Sequence, residues 1–139
     1  MSSWKIHELT EADYQPVMAL WNSTPGVRAT EPPEEFSRIL ARNPGLSCIV
    51  RDGDKLVAAL LCCHDGRRGY LYHLAVAESH RRQGIALAMV DRCLALLTEL
   101  GIARCTLFVV VDNAEGIAFW NRTGWRERVD LQLMAKDLL

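Results

Sequence analysis

The sequence predicts a mixed α/β domain with a mainly antiparallel sheet, and three observations lead to this prediction. Short apolar segments separated by glycine-containing turns between residues 46 and 76 are typical of an antiparallel meander. An apolar strand at 70–76 then leads into a long apolar-faced helix and a β-branched segment at 104–111, and this β-α-β order implies one parallel pair. The 139 residues, of which 50% are hydrophobic, suit one domain over 1–139 with a single core.

The N-terminal third is predicted to contain one strand and two helices. Trp4 to Leu9 alternates enough between polar and apolar residues to favour a short strand. Thr10, followed three residues later by an aspartate, predicts a capped helix from Glu11 to Trp21. Three prolines and a glycine mark residues 22–33 as a loop. Two of these prolines precede a second short helix, expected from Glu34 to Arg42.

The rest of the chain is predicted to contain four strands, two helices and a final arm. Four segments have the composition of strands: 46–51, 55–64, 70–76 and 104–111. The long helix between the last two ends before Gly101, which takes the usual position for a helix stop. Asp112 or Asn113 caps another helix, from Ala114 to Arg122. Trp125 to Ala135 is expected to form a last strand or hairpin arm.

Composition and charge exclude several classes of function. A net charge of -1 does not favour non-specific nucleic-acid binding. The N-terminus shows no apolar signal core and no run is long enough to span a membrane, so a cytoplasmic protein is expected. The five cysteines lie in apolar runs without Cys-x-x-Cys spacing, which indicates buried thiols in a reducing compartment. The four histidines show no metal-ligand spacing with them, so no metal site is expected.

The clearest functional signal is the segment RRQGIA, Arg81 to Ala86, at the start of the long helix. The first backbone N–H groups of a helix have no partner within it, and the helix dipole adds positive character at the same end. Gly84 removes a side chain where a ligand has to come close, and Arg81 and Arg82 add donors and charge. Together these features predict an anion site.

The flanks of this segment carry a resemblance to a known family. The strand YHLAV precedes RRQGIA, a long helix follows it, and DNAEGIAFWNRTGW lies downstream. RRQGIA resembles the acyl-CoA signature R/Q-x-x-G-x-G/A of the GNAT acetyltransferases, and the downstream segment resembles their N-x-x-A-x-x-x-Y-x-x-x-G-F pattern. The resemblance covers essentially the whole chain and is closest to the small bacterial YpeA-type proteins, through DGRRGYLYHLAV and LWNSTPGVRATEPP.

Membership of this family would imply the fold, the reaction and the partners. The expected fold is the GNAT fold, a mixed, mainly antiparallel sheet of six or seven strands that splays at the motif strand, with about four helices. The expected reaction is transfer of an acetyl group from acetyl-CoA to a primary amine of a small molecule, by direct attack in a ternary complex. GNAT relatives are often dimers, so a homodimer is among the expected assemblies, whereas neither nucleic acid nor a membrane is an expected partner.

The resemblance also implies which residues hold the donor. Leu74, Ala75 and Val76 would lie beside the pantetheine arm, which would pair with their backbone like an added strand. The Val76 N–H would be the oxyanion donor for the thioester carbonyl. Asn113 would hydrogen-bond the pantetheine or, equally, cap its helix. Six consecutive residues would wrap the pyrophosphate: Arg81, Arg82, Gln83, Gly84, Ile85 and Ala86.

The chain departs from the family pattern at the residue that usually supplies a proton to the leaving thiolate. Relatives often carry a tyrosine there, and this chain has Trp120. An indole N–H can donate a hydrogen bond but cannot usefully lose its proton. Because a thiol with a pKa of about 8.5 is already a good leaving group, Trp120 is expected to slow the reaction rather than abolish it.

A second departure concerns the general base. Some relatives carry a glutamate at the positions of Phe108 or Tyr70, and neither residue supplies a carboxylate. Tyr70 and Tyr72 share one face of the strand, and that face is expected to line the amine site. Tyr72 is therefore the first candidate for the base, and a tyrosine that only packs against a helix is the alternative.

Other groups stay open for the base and for substrate binding. His73 should point to the face opposite Tyr72 unless a bulge intervenes, and a lone histidine on a strand is usually structural. His64, Glu78 and a water molecule are the remaining options for the base. Arg28 lies in the proline-rich loop and is expected to pair with a substrate carboxylate, the alternative being a solvated loop arginine.

Two rival functions are compatible with the same residues. A protein N-terminal or lysine acetyltransferase would need an open, extended acceptor groove rather than a closed pocket. An acyl-CoA-binding module that regulates without turnover is kept open by Trp120 and by the missing glutamate. A covalent cysteine intermediate is not expected, because the cysteines have no paired base.

Overall fold

A five-stranded mixed sheet forms the centre of the computed structural model, which describes residues 3–139. The strands lie side by side in chain order: β1 (Trp4–Glu8), β2 (Cys48–Asp52), β3 (Lys55–His64), β4 (Gly69–Val76) and β5 (Cys105–Leu107). The first four pair antiparallel, and β4 pairs parallel with β5. The predicted mixed, mainly antiparallel fold is therefore confirmed, with five strands in the described part of the chain rather than six or seven.

Four α-helices accompany these strands, as the sequence predicted: two lie between β1 and β2, one lies between β4 and β5, and one follows β5. They are α1 (Tyr14–Asn22), α2 (Pro33–Arg42), α3 (Ile85–Glu99) and α4 (Ala114–Arg122). A short 3-10 turn, Glu11–Asp13, precedes α1, so the helix predicted from Glu11 begins in this tighter form. Within residues 3–139, no helix has the length and apolar character needed to cross a membrane.

Helices cover the sheet on both faces, and β3 shows how its sequence permits this. Leu60 and Cys62 pack in the cluster that includes α3, while Ala59 and Leu61 pack in the cluster formed with α1 and α2. Because both faces of β3 are buried, its apolar run is nearly continuous rather than alternating. Each leucine buried in this way contributes about 1.5–3 kcal/mol, so β3 anchors the strands on either side of it.

The strand β4 separates from β5 after a short stretch of pairing. Only Gly69–Leu71 of β4 pairs with Cys105–Leu107 of β5, whereas β4 continues to Val76. From Tyr72 onwards, β4 remains paired with β3 on one edge but has no strand beside its other edge within the described chain. The splay expected at the motif strand is therefore present, and it exposes backbone groups to a gap.

A bulge in β4 changes the direction of His73. Ala59 of β3 pairs with Ala75, but Leu61 pairs with Tyr72, so one extra residue of β4 is accommodated between these points. His73 takes the left-handed backbone conformation, with φ of 60°. Its ring therefore lies against Trp21 of α1, on the same side as Tyr72. His73 was predicted to point to the face opposite Tyr72 unless a bulge intervened, and this bulge is present.

The C-terminal part of the chain departs most from the predicted elements. The segment predicted as a strand at 104–111 forms one only over Cys105–Leu107. The strand or hairpin arm predicted at Trp125 to Ala135 is wrong, since residues 126–139 are exposed and contain no helix or strand. Alternating residues such as Val129 and Leu131 are fully consistent with a strand pattern, but a strand needs a partner strand to satisfy its backbone, and none lies beside this segment.

Candidate functional site

A cleft of about 880 Å³ opens where β4 separates from β5. The free part of β4, Tyr72 to Val76, forms one wall, and residues of α4 with the segment after β5 form the other. The turn that leads into α3 closes the cleft at one end, and the loop between α1 and α2 borders it at the other. We name the end near α3 the donor end and the end near α1 the acceptor end, after the roles that the resemblance implies.

The donor end is shaped by the start of α3. Gly84 is the N-terminal cap of this 15-residue helix and has a left-handed backbone, with φ of 79°. A Cβ placed on Gly84 would meet no other atom within 4 Å, so the space in front of the helix start is open. The side chains of Arg81 and Arg82 are exposed beside it. Free N–H groups, helix dipole and two guanidinium groups thus face the same space, which suits an anion.

The reactive end of β4 directs a backbone N–H into the gap. The Ala77 N–H donates to the Val57 carbonyl of β3 at 2.7 Å. Successive N–H groups along a strand point to opposite edges, so the Val76 N–H faces the free edge. The Arg81 Nε–H donates to the Val76 carbonyl at 3.3 Å, which ties the basic turn to this strand. An oxyanion or an extended ligand backbone could therefore hydrogen-bond β4 at this position.

The acceptor end contains a hydrogen-bonded pair of side chains, His73 and Glu31. His73 Nε2 lies 2.8 Å from Glu31 Oε2, and both side chains are largely buried. Burial raises the pKa of Glu31, but the hydrogen bond and charge of His73, with backbone N–H groups of Glu31 and Thr30, outweigh it and hold this pKa below its usual value. The carboxylate is therefore ionised near neutral pH.

Glu31 was missed by the sequence reasoning for a physical reason. It lies in the loop before α2, 42 residues from His73, and the two meet only because the bulge turns His73 towards that loop. The Tyr14 hydroxyl donates to the Glu31 carbonyl at 2.7 Å and holds this part of the loop against α1. The one indication in the sequence was that a bulge in this strand would turn His73 to the other face.

Tyr72, the first candidate for the base, lies in a stack of aromatic rings. Its ring stacks between Tyr70, at 6.2 Å between centroids, and Phe108, at 6.3 Å. Burial, with the neighbouring Cys63 and Tyr70, raises the pKa of the Tyr72 hydroxyl. A phenolate is therefore scarce near neutral pH, which weighs against a role as base and leaves the hydroxyl as a hydrogen-bond donor.

Trp120 lines the wall opposite β4 as part of a second aromatic cluster. Its ring packs edge-on against Phe119 at 4.9 Å and Trp125 at 5.2 Å between centroids. The same residue packs against the main core cluster. Trp120 therefore lines the cleft and at the same time contributes to packing.

Asn113 is placed at the start of α4 and caps it. Its side-chain oxygen accepts a hydrogen bond from the Gly116 N–H at 3.1 Å, so the predicted cap is confirmed. Gly26, in the loop between α1 and α2, approaches the same side chain so closely that a Cβ would lie 2.7 Å from Asn113 Nδ2. The loop therefore reaches across to α4 and closes part of the acceptor end. Arg28 of this loop lines the cleft with an exposed side chain.

Most of the predicted site residues line this one cleft. Twelve do so: Val76, Tyr72, Trp120, Leu74, Ala75, Arg81, Arg82, Gly84, Ile85, Ala86, Asn113 and Arg28. Tyr70 and Gln83 are outside the lining, Tyr70 because Tyr72 stands beside it in the stack. His64 and Glu78, two further options for the base, also lie outside it. The structure shows this placement, and the roles of these residues stay predictions.

The cysteines offer no reactive thiolate to the cleft. All five are free, and none lines the cleft. Burial raises the pKa of Cys63 to about 11, and burial likewise raises the pKa of Cys105 to about 11. Since the thiolate is the nucleophilic form, these two residues favour a reaction without a covalent enzyme intermediate.

Comparison with known proteins identifies the family of this chain. The sequence profile described as the acetyltransferase (GNAT) family matches residues 6–125. The chain belongs to the GNAT acetyltransferase family. An acetyltransferase of Sodalis glossinidius is similar, with 27% identity over 136 residues that cover 97% of this chain and 96% of the relative. Members of this family act with acetyl-CoA, so this protein is an acetyltransferase. Its membership of the YpeA-type subgroup stays a prediction.

Solved GNAT-like structures agree with the fold. An aminoglycoside 6'-N-acetyltransferase of Acinetobacter haemolyticus has a TM-score of 0.77 and 18% identity, with 96% of this chain and 99% of that chain covered. An Arabidopsis thaliana protein in complex with the bisubstrate analogue CoA-Ac-MVNAL has a TM-score of 0.73 and 20% identity, with coverage of 88% and 82%. At these identities the similarity shows the fold, and it leaves the acceptor of this GNAT protein open.

Proposed function

We propose that this GNAT protein transfers an acetyl group from acetyl-CoA to a primary amine of a small molecule, by direct attack in a ternary complex. One observation carries the proposal. The free edge of β4, with the Val76 N–H directed into the gap, runs towards the glycine-capped start of α3 within a single cleft. An extended arm with an anion at its far end fits this combination.

The donor would bind along the edge that β5 leaves free. The pantetheine arm would hydrogen-bond the backbone of Leu74 to Val76 like an additional strand. The pyrophosphate would occupy the open space in front of Gly84, within reach of the first N–H groups of α3 and of Arg81 and Arg82. The thioester carbonyl would then lie at the Val76 N–H, which would stabilise the negative charge that develops on its oxygen.

The leaving group would depart without a strong general acid. Trp120 lines the cleft and can offer an N–H hydrogen bond, but not a proton. A thiolate needs less help than an alkoxide because the pKa of its thiol is about 8.5. Water would supply the proton, and we expect turnover below that of family members with a tyrosine at this position.

A small acceptor fits an acceptor end that is partly covered by a loop better than an extended polypeptide does. The loop between α1 and α2 reaches α4 at Gly26 and Asn113, which narrows the entrance. Arg28, which lines the cleft on this loop, would pair with a carboxylate of the acceptor. The similar aminoglycoside enzyme acts on a small molecule by its name, which is compatible with such a pocket in this fold.

A panel of acceptors tests the proposal. CoA release from acetyl-CoA is measured with small amines, with and without a carboxylate, and with peptides that offer a free N-terminus or a lysine. The expected result is amine-dependent release that is fastest with a small amine. Fastest release with a peptide would instead indicate a protein acetyltransferase. Tight acetyl-CoA binding without release for any acceptor would indicate a non-catalytic binding module.

A further inference from the structure

The bulge in β4 places a histidine at the acceptor end in a conformation that the surroundings must maintain. His73 is one of two non-glycine residues in the described chain with a positive φ. Such conformations persist where neighbouring groups hold them, and they occur often at functional sites. Here the holding groups are the Trp21 ring, 4.9 Å from the imidazole centroid, and the Glu31 carboxylate. The same contacts direct the imidazole into the cleft, whose lining includes His73.

The hydrogen bond to Glu31 determines which nitrogen of His73 is free. An ionised carboxylate can only accept hydrogen bonds, so the Nε2 that lies 2.8 Å from Glu31 Oε2 carries a hydrogen. In the neutral ring, Nδ1 then holds a lone pair. Within residues 3–139, Nδ1 makes no hydrogen bond and is not among the polar atoms sealed from solvent. The neutral imidazole thus keeps an unpaired proton acceptor, on a residue that lines the cleft.

Glu31 is also suited to stabilise the protonated ring. Its second oxygen, Oε1, is buried and has no hydrogen-bond partner in the described chain. Among side chains of the described residues, His73 is therefore the one that donates to this carboxylate. A buried carboxylate that holds an imidazole in one tautomer and stabilises its cation is the arrangement by which histidine bases are oriented in hydrolases.

We propose that His73 is the general base of the acetyl transfer and that Glu31 is the residue that positions it. This inference rests on the proposed function and deepens it, because it names the group that removes the proton from the acceptor. His73 would be a catalytic residue through contact with the amine, directly or through one water. Glu31 would act through His73 only.

The proposed reaction begins with removal of a proton from the acceptor. The acceptor ammonium gives one proton to His73 Nδ1 and becomes a neutral amine. The amine lone pair forms the C–N bond to the thioester carbon, and the carbonyl pair moves to oxygen at the Val76 N–H. On collapse the C–S bond breaks, its electron pair leaves with sulfur, and the second nitrogen proton reaches the thiolate through water. The imidazolium returns its proton to solvent, so the products are the amide, CoA and one proton.

The distance along β4 agrees with this role. His73 precedes Val76 by three residues, which is about 10 Å in a regular strand. An amine nitrogen attacking a carbonyl at Val76 would lie between the two, and one water could connect it to Nδ1. Tyr72, on the same strand, is a poorer base because burial and its neighbours raise its pKa.

Other charged groups near His73 do not provide the same function. Tyr72 and Tyr70 share its strand, Cys63 faces it from β3, and Arg28 lies on the loop opposite. Burial raises the pKa of Cys63 to about 11, and a guanidinium does not accept protons in this range. Within the described residues, Glu31 is the only carboxylate bonded to the ring.

His73→Gln provides the direct test, because glutamine keeps a donor for Glu31 and removes the titratable nitrogen. The amine kcat/KM at pH 7 should fall about 10²- to 10⁴-fold, the rise of the rate with pH should disappear, and the acetyl-CoA Kd should be unchanged. The matched control is His7→Asn, on the exposed face of β1 at the far edge of the sheet, which should leave all three quantities as in the wild type.

Glu31→Gln provides a second test, which does not depend on whether the His73→Gln variant folds. Loss of the carboxylate removes the stabilisation of the imidazolium, so the ascending limb of the pH–rate profile should move to lower pH, while His73→Gln should have no such limb. An unchanged profile in either folded variant would overturn the role of His73. No turnover by the wild type with any amine would overturn the proposed function, and this inference with it.

Discussion

The donor end and the acceptor end of the cleft are built in different ways. The donor end comes from one continuous stretch, Leu74 to Ala86, in which a strand, a turn and a helix start follow each other directly. The acceptor end comes from distant segments that meet at a bulge: α1, the loop before α2, and β4. A continuous motif keeps its geometry through local bonds, whereas an assembled site depends on long-range contacts. The two ends should therefore respond separately to substitution.

Gly84→Glu should give the largest effect and should affect the donor end only. A glutamate there adds a charge and bulk where a pyrophosphate would bind, so acetyl-CoA affinity should fall by about 100-fold or more, measured by calorimetry. Gly101→Glu is the matched control, because Gly101 ends the same helix with φ of 82° and equally open space. Both variants should lose about 1 kcal/mol of stability, and retained micromolar binding in Gly84→Glu would remove the pyrophosphate assignment.

Trp120→Tyr tests proton donation to the leaving thiolate, at the place where the donor end and the acceptor end meet. A tyrosine hydroxyl can protonate the leaving thiolate, so kcat should rise by about tenfold, while the acetyl-CoA Kd stays constant. The pH–rate profile should gain a descending limb at high pH, where the tyrosine loses its proton. Trp120→Phe, which has no donor, should give no such rise. A profile that is the same in all three proteins would mean that no general acid acts here.

Arg28→Ala should affect only the acceptor end. The exposed guanidinium would pair with a substrate carboxylate in high dielectric, so KM for a carboxylate-bearing amine should rise only about 5- to 10-fold. The matched measurement uses the same variant with an amine that lacks the carboxylate, for which KM should not change. Equal kinetics with both amines would place Arg28 outside the pocket.

The smallest effect concerns the stability of the acceptor end and its dependence on pH. Although burial opposes it, His73 holds the folded-state pKa of Glu31 below its usual 4.5. The contact with His73 therefore stabilises the folded protein above pH 4.5. This stabilisation is lost as the pH falls through the lower folded-state pKa of Glu31. Glu31→Gln should lower Tm by about 3 °C at pH 7, and the difference should shrink below pH 4.5. A constant difference down to pH 3 would contradict the ion pair.

The difference between the two ends also explains what could be predicted from the sequence. The turn into α3 is signalled locally by glycine and the helix that follows, and α4 spans Ala114–Arg122 as predicted because its cap and stop are local as well. The bulge at His73 has no local signal, since a positive φ is uncommon for any residue other than glycine. Glu31 could not be found either, because only the folded chain brings it to the strand.

The errors at the C-terminus have the same physical origin. The alternation of Val129, Leu131 and Leu133 is typical of a strand, but a strand is stable only beside a partner. The parallel partner β5 ends at Leu107, and Phe108 beyond it is 52% exposed. The pattern therefore predicted an element whose pairing depends on the rest of the sheet, and the count of six or seven strands was too high for the same reason.

A crystal structure of the protein with bound CoA tests the central claim most directly. The account predicts pyrophosphate oxygens about 3 Å from the N–H groups that follow Gly84, the pantetheine along the free edge of β4, and the sulfur beside Val76 with His73 facing it across the acceptor end. A CoA molecule that leaves the free edge of β4 empty, or whose sulfur lies away from Val76, would contradict the account.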